Sequence, residues 1–157
     1  MLKSARLSAA RGAPARHSAP VVESGDTSTR CAPTFIADAT KGLEHLELKA
    51  RASHIAAALA KHLPSDPTRA LRIAIDSMGA PLEKTEDNGA DVFHYFPVAS
   101  WLHDVGPSDV ETALKANYEL TKRFTAEFSI RSLLTHAQQR TLKELARWVS
   151  DENPHVR

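Results

Sequence analysis

From Phe35 onward the apolar residues recur at steps of three and four rather than alternating. Leu48, Ala52, Ile55, Leu59 and Leu63 mark one face of a long helix. A shorter helix precedes it and ends near Gly42. Asp66-Pro67 supplies an N-cap and a first-turn proline for "PTRALRIAIDSM", which Gly79 and Pro81 terminate. "DVFHYFPVASWLHDV" reads as a short apolar helix interrupted by Pro97. "SDVE", from Ser108 to Glu111, has the form of a capping box and opens "VETALKANYELTKRF". "RFTAEFSIRSLL" follows and is read as helical. In "QQRTLKELARWVS", Leu142, Leu145, Ala146 and Val149 share a side. No stretch alternates with period two, so the expected fold is all-α. Short connections between helices, at roughly 30 to 45 residues per pair, suit antiparallel pairs stacked as HEAT-like repeats in a superhelix. A plain helical bundle satisfies the same pattern. Asn153-Pro154 near the end looks like a further helix start, so the last element is expected to continue beyond Arg157.

Composition changes this picture mainly at the N-terminus. Residues 1–33 are rich in Ala, Ser, Arg and Pro, have no acid before Glu23, and cannot bury enough surface to offset their ordering entropy. They are expected to be a disordered tail, with a targeting segment as the alternative. Residues 34–157 form the expected folded domain. A chain of 157 residues suits one compact domain. No run approaches the length of a membrane span, and the single Cys31 excludes an intramolecular disulfide framework. The expectation is a monomeric cytosolic protein.

Net charge is +1, but it is unevenly placed. Residues 64–112 carry nine acids against three Lys/Arg, while 115–157 carry eight Lys/Arg against five acids. An anionic partner such as nucleic acid would meet the C-terminal third. Solvated helix faces account for the same charges.

The chemistry-bearing residues are few. His45, His54, His62, His94, His103, His136 and His155 form no HxxxH or HExxH spacing, so no metal site is expected. No phosphate loop, GxSxG elbow or Cys/His pair is present. What remains is Glu127, between Phe124 and Phe128 and flanked by Arg123 and Arg131. On a helix, residues four apart share a face, so this is either a routine ion pair beside two core aromatics or a displayed carboxylate. Lys122 and Arg123 immediately before it could clamp a phosphate, and Trp148, His155 and Arg157 follow one helix later.

The blocks "GLEHLELKARASHIAAALAKHLP", "YELTKRFTAEFSIRSLL" and "LARWVSDENPHVR" closely resemble the AlkC-like branch of the DNA alkylation repair proteins, over about residues 34–157. The resemblance implies a HEAT-like superhelix whose concave basic face holds duplex DNA containing alkylated bases. It implies a monofunctional glycosylase, needing no cofactor, that removes cationic N3-alkylated bases without flipping them into a deep pocket. Glu127 matches the acid of the family's "TAEF" block and would be catalytic. Lys122, Arg123, Arg131, Trp148, His155 and Arg157 would contact DNA. Asp151 and Arg157 match a spacing at which an Asp and an Arg bridge within or between repeats. Ser132 stands where the family has Pro, and the block that follows "HVR" in the family is missing, so the domain is expected to be incomplete at its C-terminus. A non-catalytic helical-repeat module that binds DNA or protein is the alternative.

Overall fold

The computed structural model describes residues 28–84 and 89–157, with side chains from residue 33 onward. Of the tail expected over residues 1–33, residues 1–27 lie outside the described residues. Among these, seven α-helices form and no strand does: α1 (Ser28–Thr40), α2 (Leu48–His62), α3 (Pro67–Ser77), α4 (Phe96–Val105), α5 (Val110–Thr121), α6 (Glu127–His136) and α7 (Gln138–Trp148). The boundary expected at residue 33 falls inside α1, which carries Pro33 in its interior.

Local signals explain most of the helix ends. Gly42 adopts a left-handed conformation with φ of 75°, which is strained for residues with a Cβ, and breaks the chain between α1 and α2. Asp66 caps α3, its carboxylate accepting from the Arg69 amide at 2.9 Å, with Pro67 in the first turn. Pro97 does not interrupt a helix; it lies in the first turn of α4, after a 3-10 segment at Ala90–Tyr95. The capping box shifts by one residue. Ser108 ends a short 3-10 turn, and Asp109 caps α5 by accepting from Thr112 N at 3.1 Å. Thr68 of α3 donates to the other Asp109 oxygen at 2.5 Å, so the cap also ties two helices together. These bonds hold the Asp109 carboxyl below the usual range, Thr68 contributing most.

Two layers result. Helices α2, α4 and α6 pack side by side in one; α3 packs on α5 in the other, and α7 closes the end against α6. The core between them is small-residue rich: Ala99, Ala113 and Ala116 are fully buried beside Leu71, Leu102, Leu120 and Leu133. Small residues let the helix axes approach closely. Gly106 extends this at the corner between α4 and α5, where an added Cβ would stand 3.2 Å from a Leu133 methyl. In α2 the buried positions are Ala52, Ala56 and Ala58, with Leu59 partly buried, while Leu48 is exposed. In α7 the inward face is Thr141, Leu145 and Trp148; Leu142 and Val149 point to solvent, contrary to the sequence pattern. After α7 the chain turns, and Asn153 opens a helical turn: its Oδ1 accepts from His155 N at 2.9 Å and its carbonyl from Arg157 N at 3.1 Å, with Val156 buried in the core.

Helix α1 is fastened by polar contacts. Asp38 accepts from Lys61 Nζ and His62 Nε2, both at 2.7 Å, and its carbonyl accepts from His54 Nε2 at 2.9 Å. The Lys61 bond, then the His62 bond, lowers the Asp38 pKa to about 2. A carboxyl whose folded value lies below its ordinary 3.8 adds stability above that value and loses it as pH falls through about 2. Amide protection factors in α1 should therefore fall on acidification from pH 4 to pH 2, and Asp38→Asn should flatten that dependence. For the cap, Asp109→Ala should lower unfolding stability by about 1–2 kcal/mol in denaturant titrations, and Ser108→Ala by less than about 0.5 kcal/mol.

Candidate functional site

The stretch from Lys122 to Arg131 is not one helix. Helix α5 ends at Thr121, the chain turns over Lys122–Ala126, and α6 starts at Glu127. Two buried polar groups fix the turn. Asn117 Nδ2 donates to Ala113 O at 2.8 Å while its Oδ1 accepts from Ser129 Oγ at 2.5 Å. Arg123 reaches back to donate to Gly79 O through Nε, and through Nη1 to Glu119 O at 2.6 Å and Glu119 Oε2 at 2.8 Å.

That geometry separates the residues expected to act together. Arg123 is only 8% exposed, and Glu119 and Gly79 O engage its Nε and Nη1 donors, which favours a structural role over a phosphate clamp. Lys122 Nζ is held by Glu119 Oε1 at 2.7 Å and sits 4.1 Å over the Tyr118 ring. Glu127 is the first residue of α6, with its side chain 61% exposed and paired to Arg131 at 2.5 Å. A carboxylate there complements the helix dipole, and an exposed i,i+4 pair adds a few tenths of a kcal/mol. Phe124 is buried against Phe93 and Phe96, and the half-exposed Phe128 also rests on Phe96. His155 donates through Nε2 to Lys84 O at 3.0 Å, and Arg157 is exposed. Asp151 does not bridge to Arg157; it bonds Tyr118 and the Asn153 amide instead.

Trp148 belongs to a different place. It lines a hollow of about 770 Å³ between α3, α5 and α7, together with Tyr118, Glu119 and Asp151. The Tyr118 and Trp148 rings stand 5.7 Å apart at 58°. The Tyr118 hydroxyl donates to Asp151 Oδ2 at 2.9 Å, and Asn153 N donates to Oδ1 at 2.8 Å. The Asn153 amide, then the Tyr118 hydroxyl, holds the Asp151 carboxyl below its ordinary range, and the same contact raises Tyr118. Burial pushes the Glu119 carboxyl up, but its bonds to Lys122 and Arg123 outweigh this and leave it low. The Trp148 Nε1–H is buried without a partner, alone in this among the described side chains; an unmet buried donor costs about 1–3 kcal/mol.

Around the rim, Lys115, Arg140, Lys143 and Arg147 face Glu111, Glu119, Glu144 and Asp151. Lys115 and Arg140 pair with Glu111, Arg147 pairs with Glu144, and Glu119 is taken by Lys122 and Arg123. Among the described residues, Asp151 is the carboxylate of the hollow with no cation at ion-pair distance. Sequence reasoning passed over Tyr118 and Glu119, although the signal was present. Glu119 stands three and four residues before Lys122 and Arg123, and Tyr118 four before Lys122, so helical spacing already gave those cations partners. Among the described residues, no three His, Cys, Asp or Glu side chains cluster to hold a metal ion, and no helix is long and apolar enough to cross a membrane.

No family model and no curated protein matches the chain. Among solved structures it is similar to the Pseudomonas fluorescens alkylpurine DNA glycosylase AlkC bound to DNA containing an abasic site analog. The two are 25% identical, with a TM-score of 0.58, and the match covers 82% of this chain. It spans 35% of the length of that structure's chain. The fold is thus AlkC-like and all-α, as the sequence blocks implied.

The reassignment of Arg123 is directly testable. Arg123→Ala should cost about 3 kcal/mol in chemical denaturation, as removal of one partner from a buried ion pair does. Arg131→Ala, which removes only an exposed pair, should stay within about 0.5 kcal/mol.

Proposed function

We propose that the chain is a DNA-repair glycosylase that hydrolyses the N-glycosidic bond of cationic N3-alkylated bases in duplex DNA. The observation that carries this reading is Asp151, a carboxylate without a cationic partner, set beside Tyr118 and Trp148 on the wall of the hollow in a chain of AlkC-like fold. An N3-alkylpurine already carries positive charge, so its C1′–N bond breaks with the electron pair passing to the base, which leaves neutral. Positive charge then develops on the deoxyribose. A fixed carboxylate stabilises that charge and orients the water that adds to C1′, whose proton passes to Asp151 or to solvent. Trp148 is buried against Tyr118, and Lys122 already stands over the Tyr118 ring, so the two rings would support the wall that carries Asp151. No cofactor enters this chemistry, and one chain is enough for it.

Lys115, Arg140, Lys143 and Arg147 would hold phosphates without reading sequence. Three of them already have glutamate partners at the surface, and such pairs exchange at little cost. Arg131, Arg157 and His155 remain candidates for outlying backbone contacts, and Lys122 supports Tyr118. In this reading Asp151 takes the role that the sequence assigned to Glu127.

The balance of four cations against four carboxylates in the hollow favours a second reading, a weak helical-repeat binding module without catalysis. Base release from a duplex carrying N3-methyladenine separates the two. The wild type should release the base, Asp151→Asn should slow release by about 100-fold, and Glu127→Gln should stay within about twofold. Equal rates for wild type and Asp151→Asn would remove Asp151, and a large loss in Glu127→Gln would return the role to that residue. Salt-dependent DNA binding with no base release would establish the binding module instead.

A further inference from the structure

We infer that Tyr118 is the positioning residue of this site, fixing the plane and charge of the Asp151 carboxylate from the neighbouring helix; the inference rests on the glycosylase reading above. Asp151 lies three residues past the end of α7, on a turn whose amide donates to Trp148 O at 3.0 Å. A short carboxylate on a turn rotates about its own side-chain bonds unless it is tied. Here each oxygen is tied once. The Asn153 amide takes Oδ1 and belongs to the same turn, so it fixes the side chain only relative to that turn. The Tyr118 hydroxyl takes Oδ2 and belongs to α5, so it alone registers the carboxylate against the opposite wall of the hollow. One lone pair on each oxygen remains for a sugar or a water.

Tyr118 is itself held in place. Trp148 packs against its ring, and Lys122 Nζ, anchored on Glu119, stands 4.1 Å from the centroid of the same ring. The neighbouring Asp151 raises the Tyr118 pKa, so the phenol stays protonated and donates throughout the range in which a carboxylate titrates. The charged groups around the pair are Glu119 and Lys122 from α5, Glu144 and Arg147 from α7, and Glu152 on the turn. Glu119, Lys122, Glu144 and Arg147 are engaged with one another in pairs. The Tyr118 bond is thus a control on Asp151 that can be removed without disturbing an ion pair.

Tyr118→Phe keeps the ring and deletes only the donor. With the full-length chain, carboxylate NMR should show the Asp151 titration midpoint moving upward in Tyr118→Phe, because a bond that favours the charged form is gone. On N3-methyladenine duplex, kcat should fall about tenfold with KM unchanged, and the acid limb of the pH–rate profile should move up with the NMR midpoint. DNA affinity and the unfolding midpoint should remain near the wild type. An unchanged Asp151 midpoint overturns the inference. So does a fall in activity with no movement of the acid limb, which would make Tyr118 a packing residue. If the wild type releases no base, the glycosylase reading fails and the NMR shift alone decides the role of Tyr118.

Discussion

Arg123 is the constraint on which the rest of the structure depends. Its guanidinium, at the end of α5, gathers the carbonyl at the exit of α3 and the carboxylate of Glu119 into one buried knot. The adjacent Lys122 carbonyl accepts the Leu82 amide at 2.9 Å, adding a backbone tie to the same loop. A cation this deep is costly unless it is paired and hydrogen-bonded, and here the pairing forces α5 to stop and the chain to turn. Once it turns, Ser129 falls opposite Asn117, and α6 lies in the layer of α2 and α4 rather than continuing α5. The same knot spends Glu119 on Lys122 and Arg123, which leaves Asp151 as the free negative charge of the hollow.

The two layers then divide the work. Helices α2, α4 and α6 meet through alanines and the Phe96 cluster, a packing problem solved by small side chains and one aromatic group. Helices α3, α5 and α7 leave a concavity between them and line it with the aromatic and ionic residues. Glu127 and Arg131 stand on the first layer, Trp148 and Asp151 on the second. Proximity in sequence to a distinctive motif was therefore a poor guide to proximity in space.

The helices themselves were largely legible. The apolar spacing of α2, the Asp66-Pro67 start and the Gly42 stop carry their own physical causes. The turn at Lys122–Ala126 was not, because "YELTKRFTAEF" contains no glycine or proline and every residue in it tolerates a helix. The break comes from tertiary contacts of Arg123 and Asn117, to which local spacing is blind. Asp109 displaced Ser108 as the cap for a similar reason: it also bonds Thr68, forty-one residues away, which no local pattern records. In α7 the apolar residues occupy two faces, and periodicity could not choose between the stripe with Leu142 and Val149 and the one with Leu145 and Trp148. The site was legible in part. Of the proposed site, the sequence named Trp148, while Asp151 was read as one half of a structural bridge.

A hollow with balanced charge is a strange cradle for a polyanion, yet under the proposed function it would meet a substrate that carries a positive charge of its own. Strongly basic walls would repel a cationic base and would disfavour the positive charge that moves onto the sugar as the bond breaks. Lys115, Arg140 and Arg147 are paired with glutamates, and the phosphates of a bound duplex would have to exchange with these partners. Under the proposed function, Asp151, tied to Tyr118 and the Asn153 amide, would attract positive charge forming beside it. If the proposed function holds, binding strength is given up so that the contrast between Asp151 and its surroundings is kept, and that contrast would favour the transition state over the bound duplex.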